Sequence, residues 1–550
     1  MSSPGVDRWA TEALYTARPQ GFDATFVLFY ETVFNDPGIL EAFCYTDRMS
    51  YRAGEEVCFH LSTTAKKIVL RIHRDGIQPR QVYLAELASC ASFALPPNFY
   101  EIGCQWPVAH RWRIPKDAQP GFYIVTLRVE GPQRVVREHE HGFVIRPDSA
   151  DHGSRILLVL SNCTWTAYND WGGANHYQAR FKPDGLWFAP RLSYRRPWAR
   201  GLIWVPRGAP RKTGPSTPVG GIPRYPPVEF AYTRGFSKFY ASAGWATFER
   251  PFVLWAEATQ MPIDIAAQSD LQEDPELLNG YRCIVFVGHD EYWTWEMRDA
   301  VDRYVTSGGN VARFAGNFGW QIRIEDEGST QVCYKERAWE RDPVAQSGTS
   351  NRTTSYWEDK RIDRPGARTF GLNASAGIYA GVGNMVTRGS KGFTIYRPDH
   401  WSLAGTELGF GDVLGASAHI FGYEVDGVDY TTVDGLPVPT FRDGAPESLR
   451  IIGMGLASNR ETEFGHKGEL SYYGDQTGLV VEARSGSKDP VTRESASRGA
   501  GMMVEFSRGQ GHVFHAGSSE WVAGLEAAEP LTMRVTENVL RRYSGEHAAE

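Results

Sequence analysis

Six consecutive residues, Gly288-His289-Asp290-Glu291-Tyr292-Trp293, form the densest patch of chemistry in the chain. His289 and Glu291 stand two apart just after the apolar run Cys283 to Val287, which reads as a buried strand. At a strand end, alternate side chains point the same way, so an imidazole and a carboxylate can share one pocket. Such a pair binds a metal, or works as a base and its orienter. The rival reading is that Asp290 or Glu291 caps the helix that follows. Amidotransferases on a comparable sheet carry a nucleophilic Cys at this turn, and no Cys lies between Gly288 and Trp293. The G-x-S-x-G serine elbow is also missing there, which disfavours an acyl-enzyme route. Cys163 follows another strand, but a single thiol without a local base reads as structural.

The elements that must hold this patch follow from the hydrophobic pattern. Ile156 to Leu160 (ILLVL) and Cys283 to Val287 (CIVFV) are continuous apolar runs of the kind buried on both faces, and Ile263 to Ile265 and Val311 to Ala315 read as further short strands. Helical spacing separates them at Arg250 to Gln260 and Trp293 to Ser307, the latter ending at the C-cap signal Gly308-Gly309. Strand, helix and strand in alternation imply right-handed crossovers and a mostly parallel, Rossmann-like or flavodoxin-like sheet of the class I glutamine amidotransferase type. Ligands in such sheets bind outside the carboxyl ends of the strands. That rule selects Ser161 to Tyr177, Ser269 to Leu271, Gly288 to Trp293 and Gly316-Asn317 as one edge. Met502 to Phe506, His512 to His515 and a helix over Leu531 to Tyr543 complete the sheet.

The first 150 residues have a different grammar. Val69 to His73, Val82 to Leu84 and Phe122 to Val129 are β-branched or aromatic runs separated by turn signals, as in an Ig-like β-sandwich. The α/β domain then occupies residues 151–550, with the boundary near Arg146 to Asp151. A segment at 206–227 holds seven Pro and four Gly and cannot be regular structure; it reads as a surface insertion or a lid. His139 and His141 alternate along a strand beside Glu138 and Glu140; a metal pair is one reading of them, and a solvated face with no part in the chemistry is the preferred one.

Composition bounds the function. The chain has 550 residues, 42% hydrophobic and 22% charged, which excludes disorder over most of its length. A net charge of -7 and a pI near 6.1 argue against nucleic acid as a partner. No apolar run reaches the roughly 18 residues that span a bilayer, so no membrane role is expected. Met1 to Gln20 has no apolar core of a secretory signal, and the seven cysteines are scattered without a CxxC pair. Both point to a cytoplasmic chain with reduced thiols.

At these residues the sequence resembles the large, catalytic subunit of N,N-dimethylformamidase and its relatives. The pieces are Thr164 to Tyr177 (TWTAYNDWGGANHY), Ser193 to Trp198 (SYRRPW), Gly288 to Trp293 (GHDEYW), Gly308 to Asn317 (GGNVARFAGN), Phe421 to Gly427 (FGYEVDG) and Val513 to Leu525 (VFHAGSSEWVAGL). They keep family order over about Arg155 to Arg542. The resemblance implies a mononuclear Fe(III) held by two tyrosines and a glutamate, which match Tyr168, Tyr177 and Glu291. It implies catalytic roles for His289, Asn317 and Glu424. The family's two tyrosines are further apart than Tyr168 and Tyr177, so Tyr194, Tyr225 and Tyr232 stand as alternatives to Tyr177. From the residues alone, Tyr168 and Tyr177 read as aromatic packing in a Trp-rich loop.

The donor chemistry agrees with that implication. Phenolate and carboxylate are hard oxygen donors that favour Fe(III) over zinc, which prefers His and Cys. A free tyrosine has a pKa near 10, so ionising one at pH 7 costs about 4 kcal/mol; only a highly charged ion offsets two such costs. The implied reaction is hydrolysis of the C–N bond of a small linear amide by metal-activated water, with His289 or Glu424 moving the proton. A larger or cyclic amide on the same site is a second reading, and a non-enzymatic carbohydrate-binding protein a third. A small companion subunit, or a homo-oligomer, belongs to the same implication.

Overall fold

The computed structural model describes residues 9–10, 30–88, 91–148, 155–212, 226–377, 391–458, 489–495 and 498–545. The alternating runs of the N-terminal region form eight strands: β1 (Ala42–Thr46), β2 (Ser50–Arg52), β3 (Glu56–Thr63), β4 (Lys67–Arg74), β5 (Arg80–Ala88), β6 (Val108–Arg113), β7 (Gly121–Glu130) and β8 (Val136–Arg146). They build a five-stranded sheet in the order β2-β8-β7-β4-β5 and a three-stranded sheet in the order β1-β3-β6. Val57, Phe59 and Leu61 of β3 pack with Ile68, Leu70 and Ile72 of β4 and with Val125 and Leu127 of β7 in a core shared by both sheets. The period-2 pattern of β4 places Ile68, Leu70 and Ile72 on that inner face.

The opposite face of this region is also apolar. Phe43, Tyr45, Phe122, Ile124 and Val144 join the hydrophobic cluster of the rest of the chain. Phe122 stacks on Trp245 at 4.2 Å between ring centroids. Asp75 fastens the seam, accepting from Arg250 Nε at 2.7 Å and from Trp245 Nε1 at 2.8 Å. This seam corrects the reading of His139 and His141 as a solvated face. Both are buried, with His139 Nε2 3.2 Å from the Trp198 carbonyl and His141 Nε2 2.9 Å from Thr46 Oγ1. The physical reason is the covering layer: alternation along β8 marks two faces, and here both are packed.

A nine-stranded mixed sheet follows, built from β9 (Ile156–Leu160), β10 (Asp264–Ala267), β11 (Cys283–His289), β12 (Asn310–Gly316), β13 (Phe393–Ile395), β14 (Val413–Leu414), β15 (Arg450–Ser458), β16 (Arg498–Arg508) and β17 (Gly511–Ala516). Its order is β10-β9-β11-β12-β17-β16-β15-β13-β14. The first five strands are mutually parallel, and the remaining pairings are antiparallel. Strands β9, β10 and β11 are fully buried, which explains their unbroken apolar character. Five helices matter below: α1 (Asn162–Tyr168), α2 (Arg250–Ala258), α3 (Trp295–Thr306), α4 (Trp521–Glu526) and α5 (Pro530–Ser544). Thr294 caps α3, its hydroxyl accepting from Met297 N at 3.2 Å. The cap is therefore neither Asp290 nor Glu291, and both acids are released from that duty. Of the Pro/Gly-rich segment at 206–227, positions 213–225 lie outside the described residues, and its end is regular after all: Pro226 and Pro227 open a helix (Pro226–Arg234), whose first turn needs no N–H from either proline. Among the described residues, no helix is long and apolar enough to cross a membrane.

Candidate metal centre

The strand order reverses at β9: the chain passes from β9 to β10 on one side and then returns past β9 to β11 on the other. A crevice forms at the carboxyl ends of strands flanking such a switch. Tyr168 closes α1, directly after β9, and reaches the crevice from one side. His289 ends β11, and Glu291 follows it on the other side. Gly288 makes the exit possible. Its φ of +76° lies in the left-handed region, and a Cβ there would come 2.3 Å from Phe248 Cβ. The Glu291 backbone is then fixed by Thr164, whose Oγ1 accepts from Glu291 N at 2.9 Å.

Three oxygens meet here. Tyr168 donates its hydroxyl to Glu291 Oε2 at 2.9 Å. Tyr177 donates to the same oxygen at 2.8 Å and lies 3.0 Å from Oε1. The two rings lie 4.4 Å apart. His289 Nε2 is 3.4 Å from Glu291 Oε2 and touches Glu424 Oε2. Asn317 Nδ2 donates to Glu424 Oε2 at 2.8 Å, and among the described residues no donor reaches the buried Asn317 Oδ1. Tyr168, His289, Glu291, Asn317 and Glu424 are each exposed by 2% or less; Tyr177 is part-buried.

Tertiary contacts bring Glu424 in. Its chain segment crosses β12 so closely that a Cβ on Gly316 would lie 2.4 Å from the Glu424 carbonyl. Asp426 anchors the crossing. Its Oδ1 accepts from Asn317 N at 2.7 Å, and its Oδ2 takes Arg313 Nη1 at 3.0 Å. Arg313 extends to Asp290, with Nη2 3.0 Å from its carbonyl and Nε 3.4 Å from Oδ2. One buried guanidinium therefore ties the β11 exit to the segment bearing Glu424, and Asn317 holds its left-handed φ of +65° under the Asp426 bond.

The charges follow from burial and neighbours. Burial opposes the imidazolium of His289, but Glu424, Glu291 and the Ser242 carbonyl outweigh it and push its pKa up to about 9. Its Nδ1 lies 2.6 Å from that carbonyl, which requires the proton on Nδ1, and the carboxylates then favour a second proton on Nε2. Burial raises the pKa of Glu291, and His289 beside it pulls it back. Two donor sets are thus available to a cation: the oxygens of Tyr168, Tyr177 and Glu291, and the trio His289, Glu291 and Glu424, whose ligand atoms lie within 4.8 Å of one another. The spacing of 2.8–2.9 Å between the phenol oxygens and Glu291 Oε2 suits neighbouring ligands on one small hard cation, for which metal–oxygen bonds of about 2.0–2.1 Å place cis oxygens about 2.8–3.0 Å apart.

Residues 70–536 match the family described as N,N-dimethylformamidase beta subunit-like, C-terminal. The chain belongs to this family. Among curated proteins, it is similar to the N,N-dimethylformamidase beta subunit of Alcaligenes sp, with 26% identity over 472 residues, 80% of this chain and 54% of that protein. The corresponding subunit of Paracoccus aminophilus is 23% identical over 316 residues, 54% of this chain and 36% of that protein. The chain therefore spans about half the length of the first relative and a smaller share of the second.

Within this dimethylformamidase-like chain, the six site residues read from the sequence, Tyr168, Tyr177, His289, Glu291, Asn317 and Glu424, meet in one pocket. The alternatives to Tyr177 do not join them. Tyr194 donates to Gln331 at 3.0 Å and lies by Cys163, Tyr232 is 49% exposed on a helix at 226–234, and Tyr225 lies outside the described residues. The Cys163 thiol is buried and pushed up to about 12 by burial, which makes it a poor nucleophile. Several contributors escaped sequence reading. Thr164 and Asp426 lie inside the recognised motifs but reveal their roles only through the contacts they make. Lys335 carried no signal: it is buried, its Nζ 3.6 Å from the Tyr177 ring centroid and 3.1 Å from Tyr292 Oη, which in turn donates to Tyr177 Oη at 2.8 Å.

Proposed function

We propose that this protein is an iron-dependent hydrolase that splits the C–N bond of a linear amide into a carboxylic acid and an amine. The observation that carries this reading is the convergence of two tyrosine hydroxyls on one carboxylate oxygen of Glu291, with a second carboxylate, Glu424, held across His289. In this reading Tyr168, Tyr177 and Glu291 hold the metal. A ferric ion bound there would supply Lewis acidity to water and to the amide carbonyl. The buried donor set fits it, being all hard oxygen. His289 fits less well as a ligand, because an imidazolium has no lone pair to offer until it gives up a proton.

The protein's own groups then divide the proton work. Glu424 accepts the proton of the attacking water. His289, protonated and oriented by the Ser242 carbonyl, donates to the leaving nitrogen and recovers its proton from Glu424. Asn317 holds Glu424 through Nδ2 and offers Oδ1 to an N–H or a water. Aromatic rings form part of the pocket wall: Phe239 packs against Tyr168 and Tyr177, and Tyr423 against His289. The exclusion of water from these buried groups strengthens each of these interactions.

The same reading treats the parallel strand order as flavodoxin-like, assigns an Ig-like sandwich to residues 1–150 and the catalytic domain to 151–550, and places the enzyme in the cytoplasm. Because the named relatives are beta subunits, it also includes a small companion subunit. Elemental analysis and a visible spectrum of protein purified without chelator, with amine release from a panel of amides, test it. One iron per chain with a tyrosinate-to-iron band is expected. Stoichiometric zinc without a visible band would refute it.

A further inference from the structure

His289 has the setting of a metal ligand. Its Nδ1 lies 2.6 Å from the Ser242 carbonyl, the kind of bond that fixes an imidazole and aims Nε2 at a cation. Three side chains stand around Nε2. Glu424 Oε2 touches it, Glu291 Oε2 lies 3.4 Å away and Asn317 Nδ2 lies 3.2 Å away. The ligand atoms of His289, Glu291 and Glu424 all fall within 4.8 Å of one another. None of the four residues is more than 2% exposed.

Asn317 completes the set. Its Nδ2 is also 2.8 Å from Glu424 Oε2, while among the described residues no donor reaches its Oδ1. A half-turn of the amide about its last side-chain bond exchanges the two atoms and brings an oxygen beside Nε2 and Oε2. One imidazole nitrogen and three oxygens then face a common point, a tetrahedral mixture of the kind zinc takes in proteins. The spacing agrees. Zinc bonds of about 2.0–2.1 Å separate tetrahedral ligands by about 3.3 Å, and the gaps from Nε2 to Asn317 and Glu291 are 3.2 and 3.4 Å. This set shares only Glu291 with the one assigned to iron. The Glu291 carboxylate accepts from both tyrosines and also faces His289, so it can bridge two ions, as in two-metal sites with ions about 3.5–4 Å apart. Two phenolates and two carboxylates offset most of the charge of such a pair.

We propose that His289, Glu424 and Asn317, with Glu291 as a bridge, form a second cation site that takes zinc, and that filling it inhibits the enzyme. This inference rests on the hydrolase reading above and adds an inhibitory metal to it. Zinc bonds to His289 Nε2 in place of the proton there, which leaves to solvent. That proton is the one the leaving nitrogen needs, and Glu424, now a ligand, no longer accepts a proton from water. The iron and its tyrosines stay in place.

The test titrates the full-length, iron-loaded protein with zinc sulfate. Elemental analysis should find one tightly held zinc added per chain with no loss of iron, and the visible band should persist. Amine release should fall by a factor on the order of 100 or more as the site fills, the scale of a lost general acid and base, and return when a limiting amount of EDTA removes the zinc. Calorimetry reads the binding without turnover. His289→Gln and Glu424→Gln should abolish the added zinc, whereas Tyr168→Phe, which alters only the iron set, should keep it. Diffraction data collected at the zinc edge from the wild-type protein should place the ion against His289 Nε2, a readout that does not depend on any variant folding. Zinc that displaces iron and bleaches the band, zinc that binds without inhibition, zinc binding that survives both Gln substitutions, or no added zinc at a large molar excess overturns the proposal. If the protein hydrolyses no amide, the hydrolase reading fails by itself. The calorimetry then decides the site: zinc binding that needs His289 and Glu424 supports it, and absent or unchanged binding removes it.

Discussion

Replacing Asp426 by Asn tests whether the buried Arg313 network is what assembles the site. Asn keeps an acceptor for Asn317 N, now 2.7 Å from Asp426 Oδ1, but removes the charge that faces Arg313 Nη1 at 3.0 Å. Arg313 and Asp426 are both fully buried, so water cannot compensate the guanidinium. Asp290 remains, but its Oδ2 is 3.4 Å from Arg313 Nε and its Oδ1 already accepts from Trp293 Nε1 at 2.9 Å. Breaking one partner of a buried pair costs about 3–5 kcal/mol. An unfolding entropy of about 2.1 cal/mol/K per residue makes that roughly 3–4 °C in the thermal midpoint of a 550-residue chain that unfolds as a unit. The assay is a double-mutant cycle by differential scanning calorimetry, with Asp426→Asn, Arg313→Met and both together. Burial raises the pKa of Asp426, so its charge is itself costly, and removing both partners should restore more than half of the loss. If the two single losses simply add to within about 0.5 kcal/mol, the pair is not coupled and the network does not hold the site.

Three other outcomes follow from the same geometry. Glu291→Ala should lose both metal and activity because it removes the oxygen on which both tyrosines converge, whereas Glu424→Ala should keep metal and lose turnover; metal content by mass spectrometry beside amine release checks this, and wild-type turnover in Glu424→Ala would remove its catalytic role. His289→Ala should keep most of its iron and its visible band while activity falls by a factor on the order of 100 or more; complete loss of iron would instead make His289 a ligand from the trio His289, Glu291 and Glu424. In chelator-treated protein, His289 is raised to about 9 when folded, above its ordinary value near 6.5. Its contribution to stability is therefore complete below about pH 6.5 and lost as pH rises through about 9, and a thermal midpoint in His289→Gln that falls as steeply as wild type over that window would contradict it.

Much of this arrangement was legible in the order of residues. The apolar runs at Ile156 and Cys283 identify β9 and β11, because a strand covered on both faces must be apolar throughout. The two-residue spacing of His289 and Glu291 at a strand end predicts that they share a pocket, and the motifs around Tyr168, Asn317 and Glu424 name its other members by resemblance. Adjacency in the chain could not say which tyrosine joins Tyr168. Tyr177 comes into reach because the loop after α1 folds back, so that Asn175 Oδ1 accepts from Tyr177 N at 2.8 Å and the ring returns to the carboxylate. The same limit explains the misread His139 and His141. Alternation along a strand reports two faces but not what covers each, and here the covering layer lies tens of residues further along the chain.

What the sequence determined by itself was local: strand and helix periods, the chemistry at the strand ends, and the absence of a cysteine or serine nucleophile at the critical turn. What only the tertiary structure decided was long-range electrostatics. Glu424 is 133 positions from Glu291, and Lys335, Lys212 and Asp426 are likewise remote, yet all five charges bear on one pocket. Coulomb energy depends on distance in space and on the dielectric around the charges, and chain separation records neither. Folding sets both at once, by bringing these groups together and by excluding the water that would have screened them.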